Sequence, residues 1–395
     1  TLPKTMSAYS PAKDGSNDKP LADLVTGSWR LADSLYPSMQ FGKYDAFVIF
    51  HAGVGRDIDL VSVFGYDPAP FDIPSITFNL NTLRKYLGDQ NFAGIVVNKG
   101  AFRITNTLVL PETETRVLSS SLQSDTLQES INGLLVNSLG SYLGLPDLFD
   151  TKTGVTGIGD FGLMDPAGNL SFYSGLFPPE PSAWEKIYLG WVTPITLSSG
   201  TSTISLPAVG LKTGQDTVYK IPITDREYFL IENRSRDPYQ NGQRLTVRKG
   251  NSIFTRSFTK DSSGFNYADV RSISGSVIDV EDFDWALPGY ALQSDTLRGG
   301  GILIWHIDED VISRGLADNT VNADPAHRGV SLEEADGSQD IGRSYSQFSD
   351  AGAGTELGWP LDFWFDGNAV LYLAGTDTLN LYKNVFGKDS NPNSR

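Results

Sequence analysis

The chain has no cysteine and only three histidines and three methionines in 395 residues. Without cysteine it has no disulfide framework, thiolate zinc site, iron–sulfur ligation or cysteine nucleophile. The histidines are His51, His306 and His327, and no two stand four positions apart. That excludes an H-E-x-x-H zinc helix and leaves three candidate bases for any serine–histidine–carboxylate relay. Long apolar runs are also missing. Ala46–Phe50 and Gly301–Trp305 are strand-sized, far from the ~20 residues of a membrane helix. Positive charge is scarce: 31 Lys and Arg face 47 Asp and Glu, a net charge of −16. Phosphate-rich partners want a basic face, so nucleic acid and anionic membranes are poor matches. Calcium or a cationic partner suits this balance, and so does plain solubility.

What is present is globular. Hydrophobic residues make up 39% and aromatics 11%, enough for two to three domains of ~150 residues each. No signal-peptide pattern opens the chain. It starts Thr-Leu-Pro, with a first methionine at Met6, which predicts a processed piece of a longer precursor. A short helix is expected near Leu21–Ala32. The run Asp-Ala-Phe-Val-Ile-Phe-His-Ala-Gly-Val, closing at Val54, predicts a strand buried on both faces, with His51 a packed residue at its end. Gly53 and Gly55 lack the third glycine and following helix of a dinucleotide loop. Strand pattern recurs around Phe102–Leu110.

The period then changes. Leu127, Ile131, Leu134, Leu135, Leu139, Tyr142 and Leu143 repeat at three and four, an amphipathic helix. Thr126 and Glu129 read as its capping box, and Gly144 followed by Pro146 as its stop. Ser182 and Glu185 open a second helix in the same manner. After about Pro194, short alternating segments (Thr217–Ile223, Tyr228–Glu232, Gly301–Ile307, Gly329–Glu333) sit between turn residues. The expected organisation is α+β. Domain 1–195 holds a helix-bearing sheet, a linker falls at 193–200, and domain 196–395 is β-rich and sandwich-like.

The helix ends Asn137-Ser-Leu-Gly-Ser141-Tyr-Leu-Gly144-Leu-Pro-Asp147-Leu-Phe-Asp150, and Gly159-Asp160-Phe-Gly-Leu-Met164-Asp follows. This order resembles secreted metallopeptidases of the immune inhibitor A type, whose signature is H-E-x-x-H-x-x-G-L-P-D-L-[YF]-D followed by a glycine-rich turn carrying Leu-Met. Further stretches are similar to that family: Tyr44 to Gly55, Ser182 to Trp191, Glu227 to Arg234 and Gly301 to Glu309. The resemblance implies a metzincin-like twisted sheet with an active-site-type helix. In it Gly144 is the turning glycine, Asp147 the third metal-ligand position and Met164 the turn methionine. It also implies secretion or a cell-surface location.

The departures carry the functional expectation. Asn137 and Ser141 stand where the family has its zinc histidines, and Ser138 where it has the general-base glutamate. An amide and a hydroxyl are weak ligands for zinc, and only Asp147 remains as an anionic donor. Without the metal no bound water is acidified, and without a carboxylate at 138 no base accepts its proton. The expected protein is therefore a pseudopeptidase with no zinc, acting as a binding, structural or assembly module. Its expected partners are a protein or peptide ligand, or further copies at the cell surface. The alternative is an active secreted metalloendopeptidase, or another hydrolase, using an atypical site. Asn137 or Ser141 is expected to hydrogen-bond Asp147. Calcium is the candidate retained ion, on Asp147, Asp150 and Asp160. Other acidic clusters run Asp308-Glu309-Asp310 and Glu333 to Asp340; solvated turns are the plain reading of each. His306, on an apolar strand, is expected to be buried and structural. No Gly-x-Ser-x-Gly elbow supports a serine hydrolase.

Overall fold

Apolar residues at three-and-four spacing wind Lys19–Leu35 into the first helix, α1, with Pro20 in its opening turn and Leu21, Ala22, Leu24 and Val25 on its buried side. The computed structural model describes residues 1–12, 16–58, 60–61, 65–119, 124–127, 129–170, 175–213, 217–258, 273–291, 297–345, 355–366, 368, 371–374, 377–380, 385–390 and 392–394. They form two compact units, Thr1–Gly144 with Ser174–Leu176, and Leu145–Tyr173 with Phe177–Arg395. The sequence change at 193–200 lies inside the second of these. Residues there form a short strand that joins a larger sheet through Ile195 N to Val218 O, 2.8 Å. The architecture is α+β in both units.

In the first unit α1 is followed by β1 (Val48–Val54), β2 (Ile76–Phe78), α2 (Leu80–Leu87), β3 (Ile95–Val97), β4 (Phe102–Ile104), β5 (Thr107–Thr113), β6 (Arg116–Ser119), β7 (Ser124–Leu127) and α3 (Asn132–Tyr142). The main sheet has the order β1-β5-β2, with β1 parallel and β2 antiparallel to β5. Helices α1 and α2 and the β3–β4 hairpin contribute Leu21, Val25, Leu83, Ile95, Val97 and Ile104 to a core shared with Phe41, Phe47, Phe78 and Val109.

Two expectations are corrected here. The strand buried on both faces is β5, whose Thr107–Pro111 are all buried, and not β1. Phe50 of β1 is 54% exposed, because core residues cover only the other side, where Ile49 and His51 lie. The helix begins at Asn132, so Thr126 and Glu129 form no capping box. Thr126 instead pairs with Val117 in the β6–β7 hairpin, and cross-strand bonding there outweighs the helical period. The helix stops as expected: Gly144 takes φ 103°, a left-handed value that glycine adopts without strain.

The second unit contains α4 (Ala183–Tyr188), β8 (Ile195–Thr196), β9 (Tyr219–Pro222), β10 (Glu227–Ser235), β11 (Gln243–Lys249), β12 (Ser252–Phe258), β13 (Ser276–Val280), β14 (Tyr290–Ala291), β15 (Leu297–Arg298), β16 (Gly300–Asp308), α5 (Glu309–Gly315), β17 (Val330–Leu332), β18 (Leu371–Ala374) and β19 (Asp377–Asn380). Its principal sheet has the order β17-β16-β10-β9-β8, and a separate sheet has the order β12-β11-β13. Alternation sends Tyr228 and Leu230 of β10, and Leu303, Trp305 and Ile307 of β16, to one face. Opposite them sit Leu148, Ile158, Phe161 and Met164 with Trp184 of α4. A glycine-rich segment and a helix thus fill the main core where the sandwich reading places a second sheet. At one end of the same face the alternation continues into charge, with Glu232 and Arg234 both fully buried. Among the described residues no helix is long and apolar enough to cross a membrane.

Candidate functional site

The segment that carries the peptidase-like motif is held by its own backbone. Leu148 N donates to Met164 O at 2.8 Å, which lays Asp147–Asp150 beside the Gly159–Met164 turn. Met164 is fully buried in the core. Asp147 is half-buried, and its partner comes from far along the chain. Asn319 Nδ2 donates to Asp147 Oδ2 at 2.6 Å, while Asp147 N donates to Asn319 Oδ1 at 2.8 Å. Burial raises the Asp147 carboxyl above the usual range, and the Asn319 bond opposes that rise. Asn319 thus gives Asp147 a direct amide partner, where the sequence reading looks to Asn137 or Ser141. Asn137, Ser138 and Ser141 lie on α3 in the first unit, where Ser138 is buried and its carbonyl accepts from Thr77 Oγ1 at 3.4 Å.

These residues do not fit zinc. Amide, hydroxyl and an amide-paired carboxylate supply neither the two imidazoles nor the free anion that a catalytic ion needs. Of the other two carboxylates proposed for calcium, Asp150 is engaged by local bonds. Asp150 Oδ1 accepts from Lys152 N at 2.9 Å and Oδ2 from Thr153 Oγ1 at 2.6 Å, which lowers its pKa. Burial and the nearby Asp165 push Asp160 up to about 8. Among the described residues Asp147, Asp150 and Asp160 do not converge on one point.

Two residues without an assigned role in the motif hold the turn together. Asp165 is completely buried, and its Oδ2 accepts from Thr156 Oγ1, Gly157 N and Ile158 N at 2.9, 2.7 and 3.0 Å. Its Oδ1 accepts from Ala167 N at 2.9 Å. Glu185, also fully buried, accepts from Met164 N at 2.9 Å through Oε1 and from Ser182 N through Oε2. The capping box of α4 is thus real, and its glutamate also holds the backbone of Met164. The sequence signals the first role and not the second.

A cleft of ≈ 400 Å³ gathers His306, His327, Arg328, Ser331, Glu334 and Arg343. His306 is not buried as expected; it is partly exposed and bonds Glu227 Oε1 through Nε2 at 2.9 Å. Its side chain projects from the face of β16 opposite Trp305, away from the main core. His327 Nε2 meets Asp308 Oδ2 at 2.9 Å. Of the acidic clusters, Asp308-Glu309-Asp310 serves the fold. Asp308 caps α5 through Asp310 N and Val311 N, Glu309 Oε1 accepts from Tyr228 Oη, and Asp310 pairs with Arg226. The stretch from Glu333 to Asp340 is joined by Asp362, which no nearby motif announces.

The first unit holds a carboxyl pair of its own. Glu114 is fully buried with no hydrogen-bond donor to either oxygen among the described residues. It lies so close to Gly55 that a Cβ there would meet Glu114 Oε1 at 1.7 Å. Asp57 accepts from Ser75 N and Oγ, both at 2.8 Å. Burial and the Asp57 charge push Glu114 up to about 9. The folded state therefore keeps a proton that the unfolded chain releases near pH 4.5, so stability falls as pH rises from about 4.5 to about 9. Hydrogen exchange of the β5 amides is expected to show less protection at pH 8 than at pH 5. In Glu114→Gln that difference should shrink; an unchanged pH slope would count against the assignment.

Comparison with protein-family models, with curated proteins and with solved structures finds no match to this chain.

Proposed function

We propose that this chain is a metallopeptidase-like protein without peptidase chemistry, a secreted or cell-surface module that binds a protein or peptide or serves in assembly. The fold reading that goes with it is metzincin-like, with Gly144 and Met164 as its structural markers. The observation that most supports it is the reciprocal Asp147–Asn319 pair, which engages the one anionic group left at the ligand positions. Asn137, Ser138 and Ser141 offer no replacement for two imidazoles and a base. Elemental analysis for zinc and cleavage of a generic unfolded protein test the reading together. Well under one zinc per chain and no chelator-sensitive cleavage are expected. Stoichiometric zinc with cleavage abolished by chelator overturns it.

The second reading, a hydrolase with an atypical site, draws on the cleft where His306 and His327 each meet a carboxylate. In the same assay it predicts hydrolysis that survives chelation and is lost in His306→Asn or His327→Asn.

A further inference from the structure

The loop Glu334-Ala-Asp336-Gly-Ser338-Gln-Asp340 meets the turn Pro360–Asp362 through a backbone bond from Ala335 N to Asp362 O, 3.0 Å. That contact brings one carboxylate oxygen each from Glu334, Asp336 and Asp362 within 4.8 Å of one another. Oxygens bound to one calcium at 2.3–2.6 Å lie at most about 5 Å apart, so all three fall within the span of a single ion.

Two of the neighbouring carboxylates keep an oxygen without a donor among the described residues. Glu334 is well supplied: Oε1 accepts from Ile341 N at 3.1 Å, and Oε2 from Asp340 N at 2.7 Å and Ser338 Oγ at 3.0 Å. Asp336 Oδ1 accepts from Ser338 N and Oγ at 2.9 and 2.7 Å. Asp362 differs. It is fully buried, Trp359 N donates to its Oδ2 at 2.6 Å, and Oδ1 has no partner among the described residues. Asp340, 3% exposed, is in the same position: Tyr345 Oη and Thr355 Oγ1 serve Oδ2, and Oδ1 has none. A buried carboxylate oxygen without a donor costs several kcal/mol unless a proton or a cation answers it. Burial raises Glu334 to about 7 and holds Asp336 and Asp362 above the usual carboxylate range, and the Asp340 charge adds to each rise.

We propose that Glu334, Asp336 and Asp362, with Asp340 beside them, form a calcium site in the second unit. Donor chemistry selects the ion: every candidate ligand is a hard oxygen, which excludes a preference for zinc or copper. The mixture of a loop and a separate turn tolerates the irregular shell of calcium better than the strict octahedron of magnesium. The remaining coordination positions fall to water and backbone carbonyls. The site is distinct from the Asp147, Asp150 and Asp160 set and does not depend on the peptidase-like reading.

The test uses the full chain, stripped with chelator and dialysed. Titration with calcium chloride by calorimetry is expected to show one site and a rise in melting temperature at pH 7.5. Terbium is expected to bind there with luminescence excited through Trp359, whose backbone touches Asp362. Asp362→Asn keeps the shape and removes the charge; it should weaken calcium binding at least tenfold. Asp336→Asn, at a half-buried position, should do likewise with an unchanged circular dichroism spectrum. Absence of calcium heat, thermal shift and terbium signal in the parent overturns the proposal. So does undiminished binding in both variants, since it puts the ion elsewhere.

Discussion

Replacing Arg234 by leucine is expected to destabilise the second unit by about 3–5 kcal/mol. Arg234, on β10, is fully buried, and its guanidinium meets both oxygens of Asp284, with Nε to Oδ2 at 2.6 Å. Nη2 also donates to Glu180 O at 2.9 Å. Beside it, Glu232 accepts from Trp305 Nε1 at 2.9 Å and Ala183 N at 3.1 Å, and stands 3.4 Å from Lys186 Nζ. Leucine fills the space but strands Asp284 and weakens the balance at Glu232, leaving uncompensated charge in an apolar interior. The loss should appear in urea denaturation followed by tryptophan fluorescence. Arg234→Leu with Asp284→Leu is expected to be milder than the sum of the single changes, because it removes both charges. Additive losses, or a single change costing under about 1 kcal/mol, would contradict the network.

Asp165→Ala is expected to be comparably severe, at about 4 kcal/mol. It leaves Thr156 Oγ1, Gly157 N, Ile158 N and Ala167 N without their acceptor in a site that water does not reach. An orphaned buried donor costs about 1–3 kcal/mol, and partial relaxation keeps the sum below the maximum. Asparagine retains one acceptor oxygen and turns an amide toward N–H donors, so Asp165→Asn should fall between parent and alanine. The measurements are denaturation midpoint and the near-ultraviolet circular dichroism of Trp184, packed in the same core as Met164. An alanine variant within about 1 kcal/mol of the parent would show that the turn is held by its glycines and packing alone.

Local patterns were read most faithfully where one rule acted without a competitor. The helix near Leu21–Ala32, Ser182 with Glu185, and Gly144 as a stop are all satisfied by atoms within a few residues. The β segments beginning near Thr217, Tyr228, Gly301 and Gly329 also lie where alternation puts them. Reading failed where two patterns overlapped. Leu127 and Ile131 extend a helical period backwards, yet Ser124–Leu127 pairs with Arg116–Ser119. The boundary near 195 failed to mark a unit because the polar stretch after Pro194 holds a sheet-edge strand.

The sequence alone determined the chemistry that is missing: no thiol, and no imidazole or carboxylate at 137, 138 and 141. Composition and identity are local facts that no folding can change. Tertiary structure decided which groups meet. Asn319 reaches Asp147 across 172 positions, and Asp362 joins Glu334 and Asp336 through the backbone contact at Ala335. It also decided which charges lose their water: Arg234, Asp165 and Glu114 sit in a chain rich in acidic residues, and nothing near them in sequence separates them from exposed ones. Burial depends on the summed packing of distant segments, so hydrogen bonding, proton affinity and ion binding at these residues become definite only in the folded chain.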